Sequence, residues 1–171
     1  MFADVSAANN PDCPASNCCD LFFNGDFNSY VDVYNFGKKV DIITIEIEHV
    51  NVKALYRLED EGVAVYPSPS NIELIQNKGV QKDFFKKNKI PTSNYKRFDN
   101  KKTLSKYISR IESSYPFIWK SETMGYDGKG VKLVKSLSDL DEINENSCVI
   151  EDVVDIKHEL AVLVARNSSG E

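Results

Sequence analysis

The chain has 171 residues, 42% of them apolar and 27% charged, which suits one ordinary domain or two small ones and argues against wholesale disorder. Its net charge of −5 disfavours a global attraction to nucleic acid or to an anionic membrane. The longest apolar run, residues 160–165, is far short of the roughly 18 needed for a membrane span, and residues 1–10 lack the basic flank and apolar stretch of a secretory leader.

Residues 1–28 read as irregular, rich in Asn, Asp, Ser, Ala and Cys. Of the four cysteines, Cys13, Cys18, Cys19 and Cys148, the first three match no zinc-knuckle spacing and both histidines lie far from them in sequence, so the reading is reduced, cytoplasmic thiols. A short helix is expected over residues 29–39, closed near Gly37. Residues 40–48 are β-branched and predict a buried strand with carboxylates at its C-terminal end. Val52, Leu55 and Leu58 repeat at helical spacing over residues 52–61, and Gly62 stops that helix. Residues 63–66 are the next strand, broken by Pro67 and Pro69. Strand, helix and strand on short loops predict a βαβ unit and a parallel sheet.

Ser70 is the expected N-cap of a helix over residues 71–76. The helix over residues 78–88 is lysine-rich, with Lys78 and Lys82 at i, i+4; most of its lysines read as a solvated face, with Lys78 the exception. Beyond Pro91 come a strand (95–98), a helix (102–112), a strand (117–120), a glycine loop (121–130), a strand (131–135), a short helix (138–143) and strands at 148–154 and 159–166. Strands joined by a short glycine loop favour an antiparallel α+β unit, with the boundary near residues 76–78.

The glycine loop is Gly125-Tyr126-Asp127-Gly128-Lys129-Gly130. Three glycines in six residues let backbone N–H groups approach an anion, although the Walker A order is absent. An ordinary glycine hairpin with a solvated lysine fits the composition equally well. Lys120, at the end of the apolar strand Phe117-Ile118-Trp119, tilts the balance, because a lysine there is costly to bury without an anion. Glu151 and Glu159, on two strands joined by a linker, could face a purine and a ribose, but exposed acids on a β-connection are the stronger reading of these residues alone.

Together these pieces resemble the N5-carboxyaminoimidazole ribonucleotide synthetases, ATP-grasp enzymes of purine biosynthesis. The resemblance rests on Thr44-Ile45-Glu46-Ile47-Glu48-His49-Val50, Val65-Tyr66-Pro67-Ser68-Pro69, Ile75-Gln76-Asn77-Lys78 with Gln81-Lys82, Ile90-Pro91-Thr92, the glycine loop, and residues 151–166, in the family's order over about residues 25–171. The Gly-Tyr-Asp-Gly-Lys-Gly form with the Thr-x-Glu-x-Glu-His strand points to this member over biotin carboxylase or D-alanine–D-alanine ligase. Two departures stand out. The family opens with a strand and a Gly-Gly-Gly-Gln-Leu-Gly turn that has no counterpart here, and it continues past Glu171 into a half that carries the magnesium ligands, an Asn-Glu pair and the basic groups for bicarbonate. The chain therefore reads as a fragment, inactive by itself.

The resemblance implies an α/β plus α+β fold. Residues 1–76 would be a truncated parallel-sheet pre-ATP-grasp domain, and residues 77–171 the ATP-grasp lid subdomain with the start of the catalytic subdomain. It implies ATP with Mg2+, the metal ligands lying outside this chain, and bicarbonate and 5-aminoimidazole ribonucleotide as further ligands, in the cytoplasm, with no nucleic acid or membrane partner and room for a homodimer. Lys78 and Lys120 would contact ATP phosphates. Gly125, Tyr126, Asp127, Gly128, Lys129, Gly130 and Val131 would close over them. Glu151, Asp152 and the backbone at Val153 and Val154 would take the adenine edge, and Glu159 the ribose. Glu46, Glu48, His49 and Ser68, at the carboxyl ends of predicted parallel strands, are candidates for the ribonucleotide side. Three competing readings remain: a nucleotide-binding remnant without catalysis, another ATP-grasp ligase, and an interaction module that offers its lysine helix to an acidic partner.

Overall fold

The computed structural model describes residues 5–8, 10–111, 115–123, 125 and 130–167. Its first strands lie where the sequence suggested irregular chain. β1 (Val5–Ala8) and β2 (Leu21–Asn24) pair in parallel, Ser6 opposite Phe22 and Ala8 opposite Asn24, with a 3-10 turn at Pro14–Asn17 between them. Val-Ser-Ala-Ala carries no bulky alternation, so this strand exists through its pairing and leaves no periodic signal. α1 (Tyr30–Gly37) starts where the Ser29 hydroxyl accepts the Asp32 N–H. It ends at a glycine for a packing reason: a Cβ on Gly37 would collide with Leu58 and Ile43 side chains.

The expected βαβ unit is present. β3 (Ile42–Thr44) and β4 (Ala64–Tyr66) run parallel, Ile43 opposite Val65, joined by α2 (Val52–Asp60), whose first turn is capped by Asn51 Oδ1. Gly62 follows at φ +92°, a conformation that L side chains rarely adopt. β3 is shorter than the strand expected over residues 40–48. Ile45 still donates to the Tyr66 carbonyl, but Pro67 ends β4 and offers no N–H, so nothing extends the ladder to Glu46 and Glu48. α3 (Pro69–Gln76) begins two residues before the expected start, with Ser68 rather than Ser70 as N-cap, because Pro69 has the fixed φ that suits the first helical position. Ala54, Leu55, Leu58, Val65 and Ile72 pack with Val33 and Ile43 into one core.

The second core lies on one face of a four-stranded antiparallel sheet. Its strands are β5 (Tyr95–Phe98), β6 (Phe117–Ser121), β7 (Val131–Val134) and β8 (Cys148–Asp152), in the order β5-β8-β6-β7. α5 (Lys101–Ile108), held by an Asn100–Thr103 capping box, adds Leu104 and Ile108 to Phe117, Trp119, Val134 and Cys148. The short helix expected at residues 138–143 is a 3-10 segment, Leu137–Glu142. The strand expected over residues 159–166 is absent. The described chain from residue 153 to 167 carries no strand, and Leu160, Val162, Leu163 and Val164 are exposed, so no edge strand forms there either. Extended apolar residues form a strand only where a neighbour completes their hydrogen bonds, and none of β5 to β8 pairs with them.

α4 (Lys78–Lys87), capped by Asn77 Oδ1 accepting the Val80 N–H, connects the two cores. It lies against the sheet face opposite the second core. The pairing Tyr95 opposite Glu151, Arg97 opposite Val149 and Ile118 opposite Glu151 puts Tyr95, Arg97, Ile118, Lys120, Val149 and Glu151 on that face. Among the described residues, no helix is long and apolar enough to cross a membrane.

Candidate functional site

The period of two in β6 decides where Lys120 goes. Phe117, Trp119 and Ser121 are buried in the second core, while Ile118 and Lys120 emerge beneath α4. There Lys120 Nζ lies 2.9 Å from Glu151 Oε1. Lys82, one helical turn after Lys78, reaches the other carboxylate oxygen at 3.0 Å and also donates to Thr92 Oγ1 (2.6 Å) and Ser93 Oγ (2.9 Å). The Ser93 hydroxyl donates to Glu151 Oε2 at 2.6 Å. Glu151, 7% exposed, is thus a buried anion held by two ammonium groups and a hydroxyl. Burial pushes its carboxyl up, but the hydrogen bonds from Ser93, Lys120 and Lys82 and the charge of Lys120 outweigh it, so the group titrates below the ordinary carboxylate range.

Lys78 is placed differently. Its Nζ donates to the Gly125 carbonyl at 2.8 Å, and among the described residues no carboxylate stands within 4.0 Å of it. Burial lowers its affinity for a proton, the nearby charge of Lys120 lowers it further, and Glu48 acts in the opposite sense. Lys82 and Lys120 thus share one carboxylate, while Lys78, near enough to Lys120 to feel its charge, bonds a carbonyl, an excess of positive charge that suits a further anion. Ser121 N–H donates to the Gly130 carbonyl (2.9 Å), and Gly130 adopts φ +71° as the chain enters β7. Tyr126, Asp127, Gly128 and Lys129 lie outside the described residues.

The structure brings together Lys78, Lys120, Gly125 and Glu151 from the sequence-based set, with Glu48 close enough to act on Lys78. Val131 pairs with Lys120 across β6 and β7. Asp152 ends β8 opposite Phe117, donates its N–H to the Asn94 carbonyl at 3.0 Å and accepts from Asn94 Nδ2 at 2.8 Å. Val153, Val154 and Glu159 are exposed in the strandless tail, away from any partner strand. Glu46, Glu48 and His49 follow the carboxyl end of β3 and Ser68 that of β4. The Gln76 amide bonds the Glu48 and Val50 carbonyls at 2.6 and 2.8 Å and fixes this loop beside α4. A cleft of about 820 Å³ between β1, β2, α1 and β3 is lined in part by Glu46 but by none of Lys78, Lys82 and Lys120. Sequence reasoning missed Lys82 and Ser93. The i, i+4 relation to Lys78 was the available signal for the first; the second, an ordinary loop serine, gave none.

The family model for the ribonucleotide synthetase preATP-grasp domain matches residues 3–76, and that for the ATP-grasp domain matches residues 83–171. Phosphoribosylaminoimidazole carboxylase of Candida glabrata is 35% identical over 173 residues, covering 97% of this chain and 30% of that protein. The Saccharomyces cerevisiae protein of the same name is 33% identical over 172 residues, with the same coverage of 97% and 30%. The crystal structure of N5-carboxyaminoimidazole ribonucleotide synthetase from Thermotoga maritima superposes with a TM-score of 0.83 at 33% identity, covering 98% of this chain and 44% of that one. The Aspergillus clavatus carboxyaminoimidazole ribonucleotide synthase complexed with ATP gives 0.76 at 30% identity, covering 90% and 41%. The chain thus spans less than a third of these curated relatives and less than half of these solved ones. With the parallel βαβ layer before the antiparallel sheet, and lysines from α4 and β6 converging on one carboxylate of β8, the chain belongs to the ATP-grasp family.

Proposed function

We propose that this chain is the nucleotide-binding part of a ligase that uses ATP and bicarbonate to carboxylate 5-aminoimidazole ribonucleotide to N5-carboxyaminoimidazole ribonucleotide, a step of cytoplasmic purine biosynthesis. The carrying observation is the excess of ammonium groups: Lys82 and Lys120 share the carboxylate of Glu151, and Lys78 beside them is held by the Gly125 carbonyl. The names of the relatives supply the substrate: one Aspergillus clavatus structure is described as a complex with ADP and 5-aminoimidazole ribonucleotide. Residues 1–76 would form the pre-ATP-grasp domain and residues 77–171 the first part of the ATP-grasp domain.

In this reading the γ-phosphoryl group of ATP passes to bicarbonate, and the amine of the imidazole then takes the carboxyl group from carboxyphosphate as phosphate leaves. Such transfer depends on position and charge neutralisation. Lys78 would leave the Gly125 carbonyl for a phosphate oxygen, and Lys120 would contribute its charge while still tied to Glu151. The loop from Gly125 to Val131 would cover the phosphates and exclude water. Asp152, Val153 and Val154 would meet adenine, Glu159 the ribose, and Glu46, Glu48, His49 and Ser68 the ribonucleotide. Among the described residues no group of three or more His, Cys, Asp or Glu could hold a metal ion.

The test is amine labelling of the chain with and without ATP, read by mass spectrometry. ATP should slow modification of Lys78 and Lys120 and leave exposed Lys86 unaffected. Equal rates at all three with saturating ATP would refute the site. For the reaction, the full-length gene product should release ADP only when bicarbonate and 5-aminoimidazole ribonucleotide are both supplied, and release independent of the ribonucleotide would refute the substrate. Light scattering of the same product tests for a homodimer.

A further inference from the structure

We infer that Arg97 and Glu122 are positioning residues for the cationic site: their ion pair locks the first turn of α4 against the end of β6 and so fixes Lys78 relative to Lys120. The inference rests on the nucleotide-site reading for its purpose, but its geometry stands independently of it. Glu122 follows β6 two residues after Lys120, on the same face of the sheet, and its side chain is only 5% exposed. Arg97, on β5, approaches it as a fork, Nε to Oε1 at 2.6 Å and Nη2 to Oε2 at 3.0 Å. The remaining guanidinium nitrogen reaches Asp83 Oδ2 on α4 at 2.5 Å, and the Tyr95 hydroxyl donates to Asp83 Oδ1 at 2.7 Å. Burial and Asp83 push the Tyr95 hydroxyl up to about 12, which keeps it a donor at every physiological pH.

Glu122 grips α4 at its N-terminus as well. Its main-chain carbonyl accepts the Lys78 N–H at 2.9 Å, and its carboxylate accepts from Asn77 Nδ2 at 3.4 Å while Asn77 Oδ1 caps the helix. Its own N–H donates to the Ser147 carbonyl at 3.0 Å, so the anchor is tied into the sheet. A carboxylate also suits the positive end of a helix. Gly79 shows how close the approach is: a Cβ there would collide with Glu122 Oε1 and Arg97 Nε. If the pair served cohesion alone, apolar residues of the same volume would serve as well or better. A clamp that holds Asn77 and the Lys78 N–H through Glu122 and Asp83 through Arg97 has a narrower consequence, because it sets the direction from which the lysine side chain leaves the helix.

The test is competitive acetylation of the 171-residue chain across a pH range, with the titration midpoint of Lys78 read by mass spectrometry. In the wild type, Lys78 should titrate below the ordinary lysine value, because burial and Lys120 act on it more strongly than Glu48 does. In Glu122→Ala, Arg97→Lys and Gly79→Ala that midpoint should move up toward the ordinary value as Lys78 swings away from Lys120 into water. Where the variants bind ATP, they should do so at least about tenfold more weakly, the loss expected for one charge-assisted contact. A midpoint that stays put in folded variants, even with a lower Tm, would show cohesion only and overturn the proposal; so would an ordinary midpoint in the wild type. If Glu122→Ala fails to fold, Arg97→Lys and Gly79→Ala carry the same readout. A wild-type chain whose Lys78 gains no protection from ATP refutes the nucleotide reading, while the midpoints still decide the clamp.

Discussion

Replacing Glu151 by Gln separates charge from shape at the centre of the site. The amide can still accept from Ser93 and from one lysine, but two ammonium groups at 2.9 and 3.0 Å lose their counter-ion. Hydrogen bonds to charged groups are worth roughly 1.5–3 kcal/mol each. Lys120 is 28% exposed and can turn to water, which lowers the loss below the ~3–5 kcal/mol of breaking a fully buried pair. The expected cost is about 2 kcal/mol near neutral pH, or a Tm lower by roughly 4–8 °C for a chain of this size. The pH dependence gives the sharper test. The folded carboxyl titrates below its unfolded value of about 4.3, so its contribution is complete above that pH and disappears as the pH falls through the folded value. Urea unfolding of both proteins should therefore show a gap near neutrality that closes in acid, where a protonated Glu151 and a glutamine are nearly equivalent. No gap near neutrality, or one that does not narrow however far the pH falls below the ordinary carboxylate range while both proteins stay folded, would refute the assignment of Glu151 as the anion that both lysines share.

In the full-length gene product, Lys120→Ala should impair use of ATP at least tenfold through loss of about 1.5–3 kcal/mol, whereas Lys86→Ala should leave steady-state constants unchanged; equal constants for the two would remove Lys120 from the site. Asn100→Ala should cost about 1 kcal/mol in urea unfolding, because the capping box that starts α5 is lost. Leu58→Ala should cost about 2–5 kcal/mol, since that fully buried side chain fills the space left by Gly37; a loss below 1 kcal/mol would mean that the first core collapses around the vacancy.

The elements legible in the sequence are those whose signal is local. Val52, Leu55 and Leu58 mark the buried face of α2, Gly62 closes the turn after it, and the β-branched residues of β3 and β4 alternate with a helix in the order that points to a parallel pair. What could not be read depends on partners remote in sequence. β1 is a strand only because β2 lies beside it, and the apolar stretch from Leu160 to Val164 has the composition of a strand but no neighbour to complete it. The same distinction explains Arg97 and Glu122. An arginine in Tyr-Lys-Arg-Phe and a glutamate before the glycine loop both look like surface residues. Only the antiparallel register of β5, β8 and β6 puts them on one face, within reach of α4.

The lysines of α4 carry this furthest. Lys78, Lys82 and Lys86 recur every four residues, so periodicity assigns them to one drifting stripe and cannot say which of them point to the sheet. The tertiary contacts make that choice. Lys78 stands at the N-terminus beside Glu122, Lys82 lies over Glu151 and Ser93, and by Lys86 the helix has passed the sheet and the side chain is exposed. A solvated lysine and a buried one therefore have the same sequence signature here, and what distinguishes them is the position of two carboxylates far along the chain. Glu151 neutralises Lys82 and Lys120, and Glu122 anchors the turn that holds Lys78 without neutralising its ammonium. That division leaves Lys78 as the one of these three lysines of the site, with Lys82 and Lys120, that pairs with no carboxylate within 4.0 Å among the described residues.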